Sequence, residues 1–319
     1  MDNLITDVGG LKIGQAHDAD VKTGVTVILP NIPALCAVDV RGGGPGTRET
    51  DLLGSDGTVE KVHAIVLSGG SVYGLAAADA VTAVLGAKGI GYEVGPAPIP
   101  VSPIVPSAIL FDNANGGDKD WGETPPFQNL GMEALENAGV KFDVGAAGAG
   151  YGATAGLYSG GLGSACETVD GITVGAIIAA NPVGSPYMPN TDCFWAWMYE
   201  NEGELGGVRP PKDYQYSAPR DTKLEFLKAT GASRIIGVVA VDAALSQKEL
   251  RRLAVMAQDG IAMAVQPAHT PLDGDTIFAL TTGDKPLLNL RPVFLTHLGG
   301  GAASPKPYLA ASMKRVFKA

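Results

Sequence analysis

Sheets covered by helices, an α/β fold, are predicted for this chain by three observations. Strand-like and helix-like runs alternate without a strict βαβ rhythm. Several strand-like runs are apolar at every position, which means burial on both faces. Glycine supplies 44 of 319 residues, about twice the usual share, so tight turns and close backbone approaches are frequent. A layered sandwich with helices outside and sheets inside fits these features. Propensity alone leaves an ordinary doubly wound sheet open.

Taken in order, residues 25–29, 35–40 and 64–67 are short strands rich in Val, Ile and Leu. The third runs into Ser68-Gly69-Gly70-Ser71. Residues 72–87 then form an Ala-rich helix with Ser71 as its N-cap. Residues 94–106 and 112–127 are loops, and 131–138 a short helix. The stretch 144–164 is the richest in glycine. Residues 172–180 form a buried strand, stopped by Asn181-Pro182-Val183-Gly184. Residues 185–222 show no clear period and form a connector. Its Trp195, Trp197 and Tyr199 suit packing or an interface, or the wall of a pocket. Residues 235–241 form a strand. Ser246 and Glu249 form a capping box before a helix with Leu250, Leu253, Ala254, Ala257 and Ile261 on one face. Asp273-Gly274-Asp275 opens a last strand, 276–280.

Composition narrows the function. A hydrophobic share of 45% with 18% charged residues excludes a disordered chain. A net charge of −10 argues against a protein that grips nucleic-acid phosphates. Cys36, Cys166 and Cys193 form no CxxC pair, which suits a reducing compartment. No run reaches the roughly 18 apolar residues of a membrane helix, and residues 1–7 do not resemble a secretory signal. A cytoplasmic protein with no membrane partner is expected.

Residues 41–46 resemble a phosphate loop only loosely, lacking its Lys-Ser/Thr, and read better as a tight turn. Ser71 lies where a hydrolase nucleophile elbow sits, but without the GxSxG pattern a cap is favoured. His17, His63, His269 and His297 have no metal spacing; His269 lies near Asp273 and Asp275 but reads as structural. Asp273 and Asp275, two residues apart on a strand, share one face. They either orient a nucleophile or cap a turn. Asn181 is either an oxyanion donor or plain turn chemistry.

Together these segments resemble the P1 peptidase family, which holds L-aminopeptidase/D-esterase, β-peptidyl aminopeptidases and the nylon-oligomer hydrolase. The resemblance runs from Ile5 to Gly283. It rests on residues 5–14, 38–53 and 62–75, on Gly148-Ala-Gly, Gly161-Leu-Gly-Ser-Ala and Asn181-Pro-Val-Gly, and on residues 269–283. It implies an αββα four-layer sandwich of N-terminal-nucleophile type, spanning 1–319 as one domain. It further implies one self-cleavage into fragments equivalent to 1–232 and 233–319, a Ser or Thr nucleophile with its own amine as base, and a small peptide or amide substrate. A homo-oligomer without metal or organic cofactor is implied as well. By position, Tyr73 and Asn181 match the oxyanion side, and Asp273 and Asp275 the pair that orients the nucleophile.

Two positions depart from the pattern. Counting back from the strand 235–242 puts Arg234 in the nucleophile slot, with Ser233 before it. Arginine stays charged and accepts no acyl group. A bulge at the strand start would restore Ser233. Leu157 stands where the nylon-hydrolase branch has a functional lysine. Two readings therefore stay open: a hydrolase that self-processes before Ser233, and an uncleaved, inactive relative that binds a small molecule or serves as a scaffold, with Arg234 paired to Asp273 and Asp275.

Overall fold

Apolar residues at nearly every position of two strands leave them no polar face, and both are buried along their whole length. They are the centre of the fold seen in a computed structural model, which describes residues 2–54, 56–200, 203, 205–225 and 233–286. The upstream side of the expected 232/233 boundary and the tail 287–319 lie outside the described residues.

The strands in chain order are β1 (Leu11–Asp18), β2 (Thr23–Pro30), β3 (Ala34–Arg41), β4 (Thr47–Arg48), β5 (Lys61–Val62), β6 (Ile65–Ser68) and β7 (Ser107–Ile109). They continue with β8 (Thr154–Ala155), β9 (Tyr158–Ser159), β10 (Gly161–Val169), β11 (Ile172–Asn181), β12 (Arg234–Ala243) and β13 (Asp275–Lys285). The helices are α1 (Ala76–Ala87), α2 (Phe127–Glu136) and α3 (Gln247–Ala264). One large sheet has the order β1-β2-β6-β7-β4 and the other β10-β11-β12-β13-β3-β5, while β8 and β9 form a two-stranded sheet.

Three buried clusters define the layers. Ile28, Ile65 and Leu67 meet Ile177, Ile236, Val238 and Phe278 between the sheets. Val81 and Leu85 of α1 and Leu130 of α2 cover the five-stranded sheet. Leu250, Leu253 and Ile261 of α3 cover the other sheet through Ile235, Val239 and Ile277. The order is helix, sheet, sheet, helix, so the chain has the αββα architecture. Alternation makes it possible: along β12, even positions face the second sheet and odd positions face α3.

Three details differ from the sequence reading. Ser71 does not cap a helix. It has φ 54 and opens a 3-10 turn, Ser71–Leu75, so α1 starts only at Ala76. The short helix begins at Phe127 rather than 131, and the Phe127 ring packs against Gly70, where a Cβ would clash with it. β1 and β10 arise where no strand was expected.

The capping box is present as expected: Ser246 Oγ accepts from Glu249 N, and Ser246 N donates to Glu249 Oε2 at 2.8 Å. Ser246→Ala is expected to lower stability by about 1 kcal/mol in urea unfolding.

Candidate active site

The end of β11 and the start of β12 set the site. Their antiparallel register runs unbroken from Val174 opposite Val241 to Asn181 opposite Arg234. The bulge that would shift Ser233 into the place of Arg234 is therefore absent. Arg234 shares the parity of Ile236 and Val238 and faces the second sheet, as Asn181 does. Ser233 extends the opposite parity and bridges in parallel to Asp273. Its N–H donates to Leu272 O at 2.8 Å, and its carbonyl accepts from Gly274 N at 3.0 Å. Its hydroxyl is buried with no hydrogen-bond partner. An orphaned buried hydroxyl is unusual and demands a reason.

The acidic pair resolves its repulsion by taking separate donors. Asp273 accepts from Val183 N at 3.1 Å and Thr270 N at 2.9 Å. Asp275 accepts from Ile235 N at 2.7 Å, and its other oxygen lies 2.7 Å from His269 Nδ1. Burial first, and then the charge of Asp275, push Asp273 up to about 6. His269 thus contacts Asp275 directly. Among the described residues no group of three or more His, Cys, Asp or Glu side chains converges to hold a metal ion.

The glycine turn at 42–44 braces the pair from below. Gly42 has φ +85, and a Cβ there would sit 2.3 Å from Asp273 O. Gly43 N donates to Thr270 O and Gly44 N to Asp273 O, so these amides are already used and are not free to hold a phosphate. The carbonyl of Gly44 accepts from Arg234 Nε at 2.8 Å. The expected ion pair of Arg234 with the two aspartates does not form. Burial pushes the Arg234 guanidinium's pKa down, Asp275 opposes that fall only through space, and Arg234 Nη1 is buried without a partner.

Asn181 is fully buried. Its Oδ1 accepts from Thr154 N at 2.9 Å and from Lys223 Nζ at 3.0 Å; its Nδ2 donates to Phe111 O at 2.9 Å. Lys223 carries no signal in the sequence: it is one lysine just past the patternless connector 185–222. Desolvation brings its ammonium down from 10.5 to about 7, with Asp273 and Asp112 opposing the fall. Leu157, where a lysine was sought, is largely exposed; its N–H donates to Asp221 O, two residues before Lys223. Asp112 is also buried, accepting from Thr23 Oγ1 and Gly70 N, both at 2.7 Å.

The structure thus brings Ser233, Asp273, Asp275 and Asn181 to one end of the central strands. Tyr73 is half exposed, and its ring meets Trp121 edge-on at 5.4 Å.

The lysine shift has a consequence for stability. Between pH 7 and 10.5 the unfolded chain binds more protons at Lys223 than the folded one, so this group makes stability rise with pH across that window. Urea unfolding from pH 7 to 10 should show the rise in the wild type and a flatter profile in Lys223→Met.

Comparison with known proteins agrees with this picture. The family model for peptidase family S58 matches residues 3–318. An uncharacterized aminopeptidase of Mycobacterium tuberculosis is 43% identical over 292 residues, covering 88% of this chain and 82% of that protein. A 6-aminohexanoate-oligomer endohydrolase of Kocuria sp. is 31% identical, covering 89% and 76%. In fold, a Burkholderia sp. beta-aminopeptidase is similar with a TM-score of 0.71 at 20% identity, covering 98% of this chain and 86% of that one. The L-aminopeptidase D-Ala-esterase/amidase from Ochrobactrum anthropi, described as a variant of the Ntn hydrolase fold, is similar at 0.69 and 20%, with the same coverage. Among the described residues no helix is long and apolar enough to cross a membrane. With its four-layer sandwich and a family match over nearly its whole length, this chain belongs to peptidase family S58.

Proposed function

We propose that the chain hydrolyses amide bonds in short peptides or amide oligomers, with Ser233 Oγ as nucleophile after cleavage of the bond between residues 232 and 233. The observation that carries this reading is the Ser233 hydroxyl, buried beside Asp273 with every hydrogen bond unmade. Cleavage turns Ser233 N into a free amine. That amine takes the hydroxyl proton as Oγ attacks the substrate carbonyl, and the proton then passes to the departing amine. Water hydrolyses the resulting ester. Asn181 lies at the same end of the central strands as Ser233 but on the opposite face of the sheet; with the substrate lying across the strand ends, it supplies an amide N–H to the oxygen that becomes negative. Asp273 and Asp275 hold the strand ends that present Ser233, through Val183 N and Ile235 N.

A second reading is favoured by Arg234. It occupies the position opposite Asn181 in an unbroken register, and its guanidinium reaches across to Gly44. On that reading the chain stays whole and the site binds without cutting.

Intact mass of the freshly purified, denatured protein separates the two. Two fragments, the smaller beginning at Ser233, together with release of p-nitroaniline from alanine p-nitroanilide, are expected. One full-length mass with no turnover overturns the first reading in favour of the second.

A further inference from the structure

We propose that Lys223 is a positioning residue: its Nζ, bonded to Asn181 Oδ1, fixes and polarises the side-chain amide whose remaining Nδ2–H meets the substrate's carbonyl oxygen. This deepens, and rests on, the hydrolase reading above.

The geometry leaves Asn181 one amide orientation. Its Oδ1 lies between two donors, Thr154 N at 2.9 Å and Lys223 Nζ at 3.0 Å. A flipped amide would set its own NH2 against both. In the observed orientation Nδ2 gives one hydrogen to Phe111 O at 2.9 Å and keeps one. A cation on Oδ1 draws electron density from the amide nitrogen, which makes that remaining N–H a stronger donor to a developing oxyanion. Lys223 also reaches the backbone carbonyl of Asn181 at 3.3 Å, so it holds both the side chain and the end of β11.

The charged groups that face the ammonium are Asp273, from the loop before β13, and Asp112, from the segment after β7. Asp112 is itself influenced by Lys119. Neither aspartate is hydrogen-bonded to Asn181 among the bonds described above, so orientation of the amide depends on Lys223 and Thr154 at Oδ1 and on Phe111 O at Nδ2. As Lys223 loses its proton with a midpoint of about 7, the polarising charge on Oδ1 is lost and kcat falls with rising pH.

The test compares wild type, Lys223→Met and Lys223→Arg on alanine p-nitroanilide across pH 5–10. Lys223→Met is expected to lower kcat about tenfold or more, as loss of an orienting partner does, with KM within about twofold. Lys223→Arg, which keeps its charge throughout, should recover most of that kcat and move the high-pH fall out of the range. Full kcat in Lys223→Met, or an unmoved fall in Lys223→Arg, overturns the proposal. A second readout does not need turnover. The Asn181 Nδ2–H resonances, assigned by their loss in Asn181→Asp, should shift with pH in the wild type and stop doing so in Lys223→Met. If the wild type cuts nothing while these resonances titrate, the hydrolase reading fails and the role of Lys223 toward Asn181 stands. If they do not titrate, that role is overturned whatever the turnover.

Discussion

Ser233→Ala is expected to leave the polypeptide whole and to cut hydrolysis of alanine p-nitroanilide by about 10⁴-fold or more, the loss that follows removal of a catalytic nucleophile. The substitution removes a hydroxyl that has no hydrogen-bond partner, so the fold loses no bond. Melting temperature should hold or rise slightly, because an unsatisfied buried polar atom disappears. Unchanged turnover would exclude Ser233. Arg234→Thr probes the other face of the strand, since it sets a hydroxyl opposite Asn181 in place of the guanidinium. A cut that moves to the bond before residue 234, with a gain in rate, would transfer the nucleophile's role to that position and show that Arg234 had silenced it.

Asp275→Ala should destabilise the protein by about 3–5 kcal/mol in urea unfolding, the range for stripping one member from a buried charged group. Asp275 is buried and answers Ile235 N and His269 Nδ1. It is also the anion that favours the charge on Arg234, whose Nη1 is already unpartnered. The cost is shared with Arg234, so Arg234→Leu in the Asp275→Ala background should recover about 1 kcal/mol or more. Strict additivity of the two changes would show that the guanidinium does not depend on Asp275.

The parts of this fold that could be read in sequence were those written in local pattern. β11 and β12 announce themselves by runs dominated by Val, Ile and Ala, and α3 by its capping box and apolar stripe. β10 escaped because Gly161 and Gly163 lower strand propensity, and only pairing with β11 makes it a strand. β1 escaped because Gly14, Gln15 and His17 interrupt its apolar residues. Ser71 gives no sign of its turn in the sequence, because a 3-10 turn with positive φ leaves no local signature. In the site, Asn181, Asp273 and Asp275 were visible through their turn and strand contexts. Lys223 was not: nothing near it in sequence shows that its ammonium ends on Asn181, since only the folded chain brings residues 181 and 223 together. The Arg234 register was legible because β12 is regular enough to count along.

The place of β12 and β13 in the six-stranded sheet has a consequence for what a cut at 232/233 would release. The two strands lie side by side, flanked by β11 on one edge and β3 on the other, and both flanking strands belong to the upstream piece. The downstream piece is therefore a wedge driven into the middle of a sheet, gripped along both margins and roofed by its own α3. Severing one peptide bond frees an end but no element. Separating the pieces means unzipping two ladders at once and opening the core that Ile236, Val238 and Phe278 share with Ile28 and Leu67. A cut molecule should travel as one body through native gel filtration, and its fragments should part only in denaturant.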